Sequence, residues 1–250
     1  MRYVVIIPAR FKSTRLNGKP LKDINGIPMI VRTFNQCCKA VDRNLIYVST
    51  DDSRIEKVCK ENNIKVIMTK KKCLTGTDRV YLASKKINAD VYINLQGDEP
   101  LFNPKDIKKI IKYSKKYQNE IITGFTKIKS YESFKSPHVP KVVFSEDKYL
   151  LYASRSPIPT NKSGKFKFGY RQVCIYAFPK KYLKKFYSTK KSKLEFEEDI
   201  EYLRFLEKGI NLKCIELSDK SVAVDTNEGL QKVRKIVQRL EKNKSNINSF

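Results

Sequence analysis

Short apolar runs that alternate with helical patterns constrain the fold of this chain more than any other feature of its sequence. The runs are rich in β-branched residues, the composition of strands that are buried on both faces. They are YVVIIPA (3–9), NLIYVST (44–50), KVIMT (65–69) and DVYINLQ (90–96). Helical patterns follow them at 28–40, from 53 to about 62, from 79 to about 87 and at 104–117. This alternation predicts an α/β fold, with a mostly parallel sheet and helices on both faces.

The pattern changes beyond residue 120, where strand-like segments are separated by turns rather than helices. These segments are IITGFTKI, KVVFSE, YLLYASR and RQVCIYAF. They predict an inserted mixed-sheet lobe at about 121–180, within a single domain that spans 1–250. A helix over 196–209 that ends at Gly209, a strand at 211–217 and a C-terminal amphipathic helix complete the predicted order.

The formal net charge of +26 is unusual, because 52 Lys and Arg face only 26 Asp and Glu. A nucleic-acid footprint would produce such an excess, and so would a solvated, lysine-rich surface. The lysines are spread along the chain, and no RRM, KH or zinc-finger signature accompanies them. This spread favours the solvated surface, and either arrangement attracts small anionic substrates.

The cysteines and the single histidine, His138, do not indicate a structural zinc site. The six cysteines show no CxxC spacing, so we expect reduced thiols in a cytoplasmic protein rather than a zinc site. No signal peptide is recognisable, and no apolar stretch approaches the roughly 20 residues that span a bilayer.

A basic loop, ARFKSTRLNGK, follows the first predicted strand. It offers guanidinium groups at Arg10 and Arg15, an ammonium at Lys19 and hydroxyls at Ser13 and Thr14. This set suits a triphosphate, although the loop matches neither a Walker A nor a Rossmann glycine motif. Taken alone, an exposed basic turn explains the loop equally well.

Two carboxylates follow other buried runs. Asp98 lies in QGDEP, directly after the fourth strand, and Asp225 lies in VDTNE, behind the run SVAV. Ligands of open α/β sheets bind at the carboxyl ends of the strands, so these side chains are expected to meet the basic loop there. Two such carboxylates predict a Mg²⁺ site, although either one alone would usually cap a turn. The stretch TGTDR (75–79) could hold an anion on its backbone N–H groups, but its spacing favours an ordinary capped helix.

In this order, the stretches resemble the CMP-sugar-acid synthetases, most closely the branch that activates 3-deoxy-D-manno-octulosonate (Kdo). The matching segments are IIPARFKSTRLNGKPL, TGTDR, NLQGDEP, KVVFSEDKYLLYASRSPIP, KLEFEEDIEYLRFLEKG and VDTNEGL. Phe11, Lys12 and Thr14 favour this branch over the one that activates sialic acid. The resemblance implies a Rossmann-like nucleotidyltransferase fold, a homodimer formed through the lobe, and a requirement for CTP and Mg²⁺.

The resemblance also implies roles for individual residues. The CTP phosphates would be held by Arg10, Ser13, Arg15 and Lys19. The nucleotide would also lie near Thr75, Gly76, Thr77 and Arg79. Asp98 and Asp225 would bind magnesium and, with Lys19 and Arg15, form the catalytic group. The sugar acid would face Gln96, Arg155, Gln172 and Tyr176.

The implied reaction is attack by the anomeric hydroxyl of a 2-keto-3-deoxy sugar acid on the α-phosphorus of CTP, with release of pyrophosphate. The resemblance implies that this reaction serves lipopolysaccharide or capsule biosynthesis. Gln172, Val173 and Cys174 depart from the family pattern, and Gln172 replaces a histidine that contacts the acid. Because Gln cannot become cationic, its hold on a carboxylate is weaker.

Kdo is therefore the expected acceptor, with 8-amino-Kdo or another surface-glycan acid as the alternative. A basic nucleic-acid-binding protein on the same scaffold is the alternative from another class. The pair Asp98 and Asp225 argues against it, because a binding module does not need two carboxylates inside its positive field.

Overall fold

The structure is a computed structural model that describes residues 1–12, 16–70 and 73–247. Its strands are β1 (Tyr3–Ala9), β2 (Asp23–Ile24), β3 (Ile27–Pro28), β4 (Ile46–Thr50), β5 (Val66–Met68), β6 (Val91–Leu95), β7 (Ile121–Lys127), β8 (Lys141–Phe144), β9 (Leu150–Ser154), β10 (Tyr170–Pro179) and β11 (Leu212–Glu216). Its α-helices are α1 (Met29–Cys38), α2 (Ser53–Glu61), α3 (Gly76–Ser84), α4 (Pro104–Lys116), α5 (Tyr131–Lys135), α6 (Lys180–Ser188), α7 (Lys193–Glu198), α8 (Leu203–Leu206) and α9 (Asn227–Ile247).

The central sheet runs in the order β11-β7-β10-β6-β1-β4-β5. Strand β1 pairs in parallel with β4 and β6, and β11 pairs in parallel with β7. Strand β10 is antiparallel to both of its neighbours, β6 and β7. The other strands of this path therefore point the same way, and β1, β4 and β6 end at one edge of the sheet. The predicted α/β class, with a mostly parallel sheet and a mixed part, is confirmed.

The strand-like segments beyond residue 120 enter the sheet in two ways. β7 and β10 lie inside its main path, whereas β8 and β9 form a hairpin that extends from β10. The mixed part is therefore continuous with the central sheet. The division into one domain (1–250) with a lobe at about 121–180 stays a prediction.

The core lies on both faces of this sheet. Val5 and Ile7 of β1 pack with α1 and α4 on one face, and Val4 and Ile6 pack with α3 and α6 on the other. Ile6 and Ile7 are both fully buried. This is why β1 is an unbroken apolar run rather than an alternating one. Among the described residues, no helix has both the length and the apolar character needed to cross a lipid bilayer.

The helix predicted over 196–209 is wrong, because the chain forms the two short helices α7 and α8 there. Asp199 separates them in the left-handed conformation, with φ of 49°. The break allows the Glu195 carboxylate to bond the Arg204 guanidinium at 2.6 Å. In one continuous α-helix these two residues would lie on opposite sides, about 13 Å apart along the axis. The buried ion pair therefore overrides the helical pattern.

Candidate active site

A cavity of about 270 Å³ opens where β1 and β6 end. Its walls bring together residues from every stretch in which the sequence predicted a nucleotide or metal contact. The predicted residues that line it are Arg10, Lys19, Thr75, Gly76, Arg79, Gln96, Asp98 and Asp225. Ser13 and Arg15, which were also predicted to contact CTP, lie outside the described residues. The cavity is thus the candidate site for the predicted chemistry.

Asp98 and Asp225 meet although 127 positions separate them in the chain. The backbone N–H of Val224 donates to the Asp98 carbonyl at 2.9 Å, which fastens the loop before Asp225 to the loop after β6. Both carboxylates then face one cation. The Lys19 ammonium donates to Asp98 Oδ2 at 2.6 Å and to Asp225 Oδ1 at 3.0 Å.

Lys19 reaches this position from the basic loop after β1. Gly18, in the left-handed conformation with φ of 66°, precedes it and begins a short 3₁₀ helix, Lys19–Leu21. Burial acts to lower the pKa of Lys19, but the charges of Asp98 and Asp225 outweigh it, so the net shift is upward. Lys19 therefore remains an ammonium ion, held between two carboxylates.

Gly97 lets the ends of β1 and β6 approach each other. A Cβ at this position would lie 2.8 Å from the Pro8 carbonyl oxygen, which belongs to the backbone of β1. The Gly97 carbonyl in turn accepts a hydrogen bond from Thr33 Oγ1 at 3.1 Å. The loop that carries Gln96 and Asp98 is therefore fixed by close backbone packing.

We expect Gly97→Ala to lower the free energy of unfolding by about 1–3 kcal/mol, the usual range for overpacking a tight site. The added methyl group has to displace the backbone of β1 or β6. Gly229→Ala in α9 is the matched control, because its Cβ meets no atom closer than 3.6 Å. Urea denaturation of both variants checks this, and equal stability of Gly97→Ala and the wild type would contradict it.

The N-terminus of α3 forms one wall of the cavity. Thr75 caps the helix and forms a capping box with Asp78, so the ordinary capped helix expected from the spacing is confirmed. The backbone N–H groups of Gly76 and Thr77 each donate to the Glu201 carboxylate at 3.0 Å. Burial raises the pKa of Glu201, while these hydrogen bonds oppose the shift. The anion held by this helix terminus is thus a side chain of the same protein.

Arg79 lies in the same wall and is almost fully buried. Its guanidinium pairs with Asp51 Oδ2 at 3.1 Å and donates to Thr69 Oγ1 at 2.6 Å. These contacts tie α3 to the ends of β4 and β5. Arg79 is therefore held rigidly where it meets the cavity.

Glu99 is a buried acid beneath the two aspartates. It accepts a hydrogen bond from Ser221 Oγ. Burial is the main cause that raises the pKa of Glu99 to about 7. Near neutral pH, Glu99 therefore does not add a full third negative charge to the pair formed by Asp98 and Asp225.

The four residues predicted to face the sugar acid do not all line the cavity. Gln96 lines the cavity, whereas Arg155, Gln172 and Tyr176 are not among its lining residues. The Gln172 amide donates to the Tyr176 hydroxyl, and both side chains are buried. Arg155 donates to the Pro137 carbonyl at 2.8 Å and approaches Asp199. Their contact with substrate stays a prediction.

Several residues of the cavity were missed by the sequence analysis. They are Cys73, Leu74, Glu195, Asp199 and Glu201. Asp199 and Glu201 lie in the stretch 196–209 that was predicted to be one helix, and Glu195 lies directly before it. Acidic residues of a helix usually face solvent, so this pattern gave no sign of a cavity wall. Thr77, by contrast, was predicted near the nucleotide but is buried behind the cavity wall.

Comparison with known proteins places this geometry in a family. The model of the family described as cytidylyltransferase matches residues 4–217. The 3-deoxy-manno-octulosonate cytidylyltransferase of Chlorobium phaeobacteroides is 38% identical over 240 residues, covering 94% of this chain and 97% of the relative. That of Chloroherpeton thalassium is 39% identical over 246 residues, covering 96% and 99%.

A solved structure has the same fold over nearly its whole length. It is a CMP:2-keto-3-deoxy-manno-octonic acid synthetase complexed with CTP, with a TM-score of 0.89 and 34% identity. The alignment covers 96% of this chain and 99% of the other. A cytidylyltransferase from Leptospira borgpetersenii, at 18% identity and a TM-score of 0.65, shares the fold. The chain therefore belongs to the cytidylyltransferase family, as its resemblance to the CMP-sugar-acid synthetases predicted.

Proposed function

We propose that this chain is a Kdo cytidylyltransferase, which transfers the cytidylyl group of CTP to the anomeric oxygen of Kdo and releases pyrophosphate. The observation that carries the proposal is the convergence of Lys19, Asp98 and Asp225 at the cavity where β1 and β6 end. The relatives at 38–39% identity, whose names state this activity, support Kdo as the acceptor.

The cavity suits a substrate that carries both a triphosphate and a neutral base. Among its lining residues, Arg10 and Lys19 supply positive charge, and Gln96 and Thr75 supply neutral hydrogen-bonding groups. A triphosphate held by these cations has its charge partly neutralised before reaction. This arrangement supports CTP as the nucleotide substrate.

We also propose that Asp98 and Asp225 hold Mg²⁺ during the reaction. The two carboxylates already converge on one cation, the Lys19 ammonium, and carboxylate oxygens are hard ligands of the kind that Mg²⁺ prefers. Within 1–12, 16–70 and 73–247, no group of three or more His, Cys, Asp or Glu is arranged to hold a metal. The remaining ligands would be phosphate oxygens and water, as is usual for this ion. When bound, the ion supplies charge stabilisation at the reacting phosphate.

The residues of the chain supply positioning and charge. In the transfer step the anomeric hydroxyl gives up its proton to water and its oxygen forms a bond to the α-phosphorus, while the bond from that phosphorus to the bridging oxygen of the β-phosphate breaks. Pyrophosphate leaves with the electron pair of that bond, so negative charge accumulates on the leaving group. Lys19 and Arg10 both line the cavity, so their positive charges are available to stabilise this leaving group. Rigid walls at Arg79 and Gly97 keep the two substrates aligned.

We further propose a homodimer formed through the lobe at about 121–180, as the resemblance implies. Leu151 on β9 and Phe168 beside β10 are apolar side chains of this lobe that are 62% and 57% exposed. A subunit interface in this lobe would remove such apolar side chains from water. Because CTP is a metabolite of the cytosol, we place the reaction in the cytoplasm.

The test is pyrophosphate release from CTP and Mg²⁺ with a panel of acceptors. The panel contains Kdo, 8-amino-Kdo, neuraminic, legionaminic and pseudaminic acids, and a control without acceptor. We expect fast release with Kdo only. Release with a different acid alone would keep the cytidylyl transfer and replace the acceptor. Salt-sensitive binding to DNA without any release would contradict the enzyme assignment.

A further inference from the structure

The segment 192–206, called the strap here, forms the wall of the cavity that faces the N-terminus of α3. It contributes Glu195, Asp199 and Glu201 to the lining, whereas α3 and its cap contribute Thr75 and Gly76. The two walls are more than a hundred residues apart in the sequence, so no short backbone connection sets the distance between them. Their relative position must therefore be set by side-chain contacts.

Besides Glu201, which accepts hydrogen bonds from two backbone N–H groups at the N-terminus of α3, Arg204 connects the two walls. Its guanidinium makes a bidentate pair with Glu195, with Nε to Oε2 and Nη2 to Oε1 both at 2.6 Å. Its Nη1 lies 3.6 Å from Asp78 Oδ1, on the α3 side. The side chains of Arg204, Glu195 and Asp78 are 2%, 1% and 5% exposed. This triad is a buried ionic cluster between the strap and α3.

Further contacts fix the orientation of the guanidinium. Its Nη1 also donates to the carbonyls of Phe186 and Thr189 at 3.1 and 3.3 Å, at the end of α6. The guanidinium carbon lies 3.7 Å from the centre of the Phe186 ring. Only a planar group with five donors can serve these partners together.

Asp78 links the Arg204 guanidinium to a residue that lines the cavity. One of its oxygens faces Arg204, and the other, Oδ2, accepts a hydrogen bond from the Thr75 backbone N–H at 2.9 Å. Thr75 Oγ1 in turn accepts from the Asp78 N–H at 3.2 Å, which closes the capping box. A shift of Asp78 is therefore expected to move Thr75, which lines the cavity.

Stability alone does not explain this cluster. A buried ion pair is often no more stabilising than well-packed apolar side chains of similar volume, because desolvation offsets the attraction. What the cluster supplies, and apolar groups do not, is a fixed direction and distance between its members.

We propose that Arg204 is a positioning residue for cytidylyl transfer, holding the capped N-terminus of α3 at a fixed distance from the strap so that the nucleotide binds in its reactive position. The inference rests on the proposed function. It assigns to Arg204 an action through Asp78 and Glu195, not through contact with substrate.

Two variants test this proposal. Arg204→Lys keeps the charge but loses the planar fork. The triple variant Arg204→Met, Glu195→Gln, Asp78→Asn removes all three charges together, so no uncompensated charge is left buried. We expect both to raise KM for CTP and to lower kcat/KM by up to about 100-fold, the effect of a displacement of about 1 Å in a reactive site. The Kd for CTP, measured by calorimetry, should rise in parallel.

Arg32→Met is the matched control for a purely structural effect. Arg32 is also largely buried and donates to the Ile24 carbonyl at 2.6 Å and to Glu241 at 3.0 Å, away from the cavity. We expect it to lower Tm and to leave KM for CTP unchanged. If either Arg204 variant folds and its KM and Kd for CTP are unchanged, the role given to Arg204 is wrong, while the proposed function stands. A wild-type protein that binds no CTP and releases no pyrophosphate would overturn the proposed function together with it.

Discussion

Asp98→Asn is expected to lower kcat by at least about 10²–10³-fold, the usual cost of removing one preorganised electrostatic group from an active site, in a protein that remains folded. The amide has the shape of the carboxylate but no charge, so both the Lys19 ammonium and the proposed Mg²⁺ lose one of their two anionic ligands. The fold should persist, because the bond that joins this loop to Val224 uses the Asp98 backbone carbonyl and not its side chain.

Initial rates of pyrophosphate release at saturating CTP and Mg²⁺ measure the loss of kcat, and Tm measures whether the variant remains folded. Asp42→Asn is the control, because Asp42 is exposed and caps a single turn by accepting from the Asn44 N–H at 2.7 Å. That variant should keep full activity. If Asp98→Asn turned over at a rate near that of the wild type, Asp98 would have no role in metal binding or charge stabilisation.

The parts of the fold that were predictable from sequence are those in which local pattern and tertiary environment agree. The run YVVIIPA is buried on both faces, and β1 spans Tyr3–Ala9 as expected. The α4 helix begins at Pro104 behind Asn103, whose side chain accepts from the Lys105 N–H at 3.1 Å. The meeting of Lys19 and Asp98 was also predictable, because parallel strands place the loops that follow them at one edge. Asp225 meets them as predicted, but the run SVAV before it forms no strand; β11 ends at Glu216.

The parts that were not predictable depend on contacts between distant positions. Glu201 bonds the N–H groups of Gly76 and Thr77, which lie about 125 positions away. Glu195 and Arg204 need the break at Asp199, and nothing in the local pattern of FEEDIEYLRFLEKG marks it. Strand-like patterns also do not give strand order, so the place of β10 between β6 and β7 could not be read from its sequence.

Lys19→Met is expected to separate two roles of this side chain. Its side chain is 16% exposed, and its ammonium lies within 3.0 Å of both aspartates. Removing the ammonium takes away positive charge that would stabilise the departing pyrophosphate, so kcat should fall by about 10²-fold or more. The same change removes the cation that is bonded to the carboxylates of Asp98 and Asp225, where it would compete with Mg²⁺. The Mg²⁺ concentration that gives half-maximal activity should therefore fall rather than rise.

A titration of pyrophosphate release against Mg²⁺ at fixed CTP measures both quantities, with Lys57→Met on the exposed face of α2 as the control. A lower kcat combined with a lower Mg²⁺ requirement would mean that the lysine and the metal share one pair of carboxylates. The lysine would then have to move toward the phosphates when the metal binds. A lower kcat with a higher Mg²⁺ requirement would contradict this competition. It would mean that Lys19 holds Asp98 and Asp225 in the position the metal needs, so that like-charge repulsion separates them once the ammonium is gone.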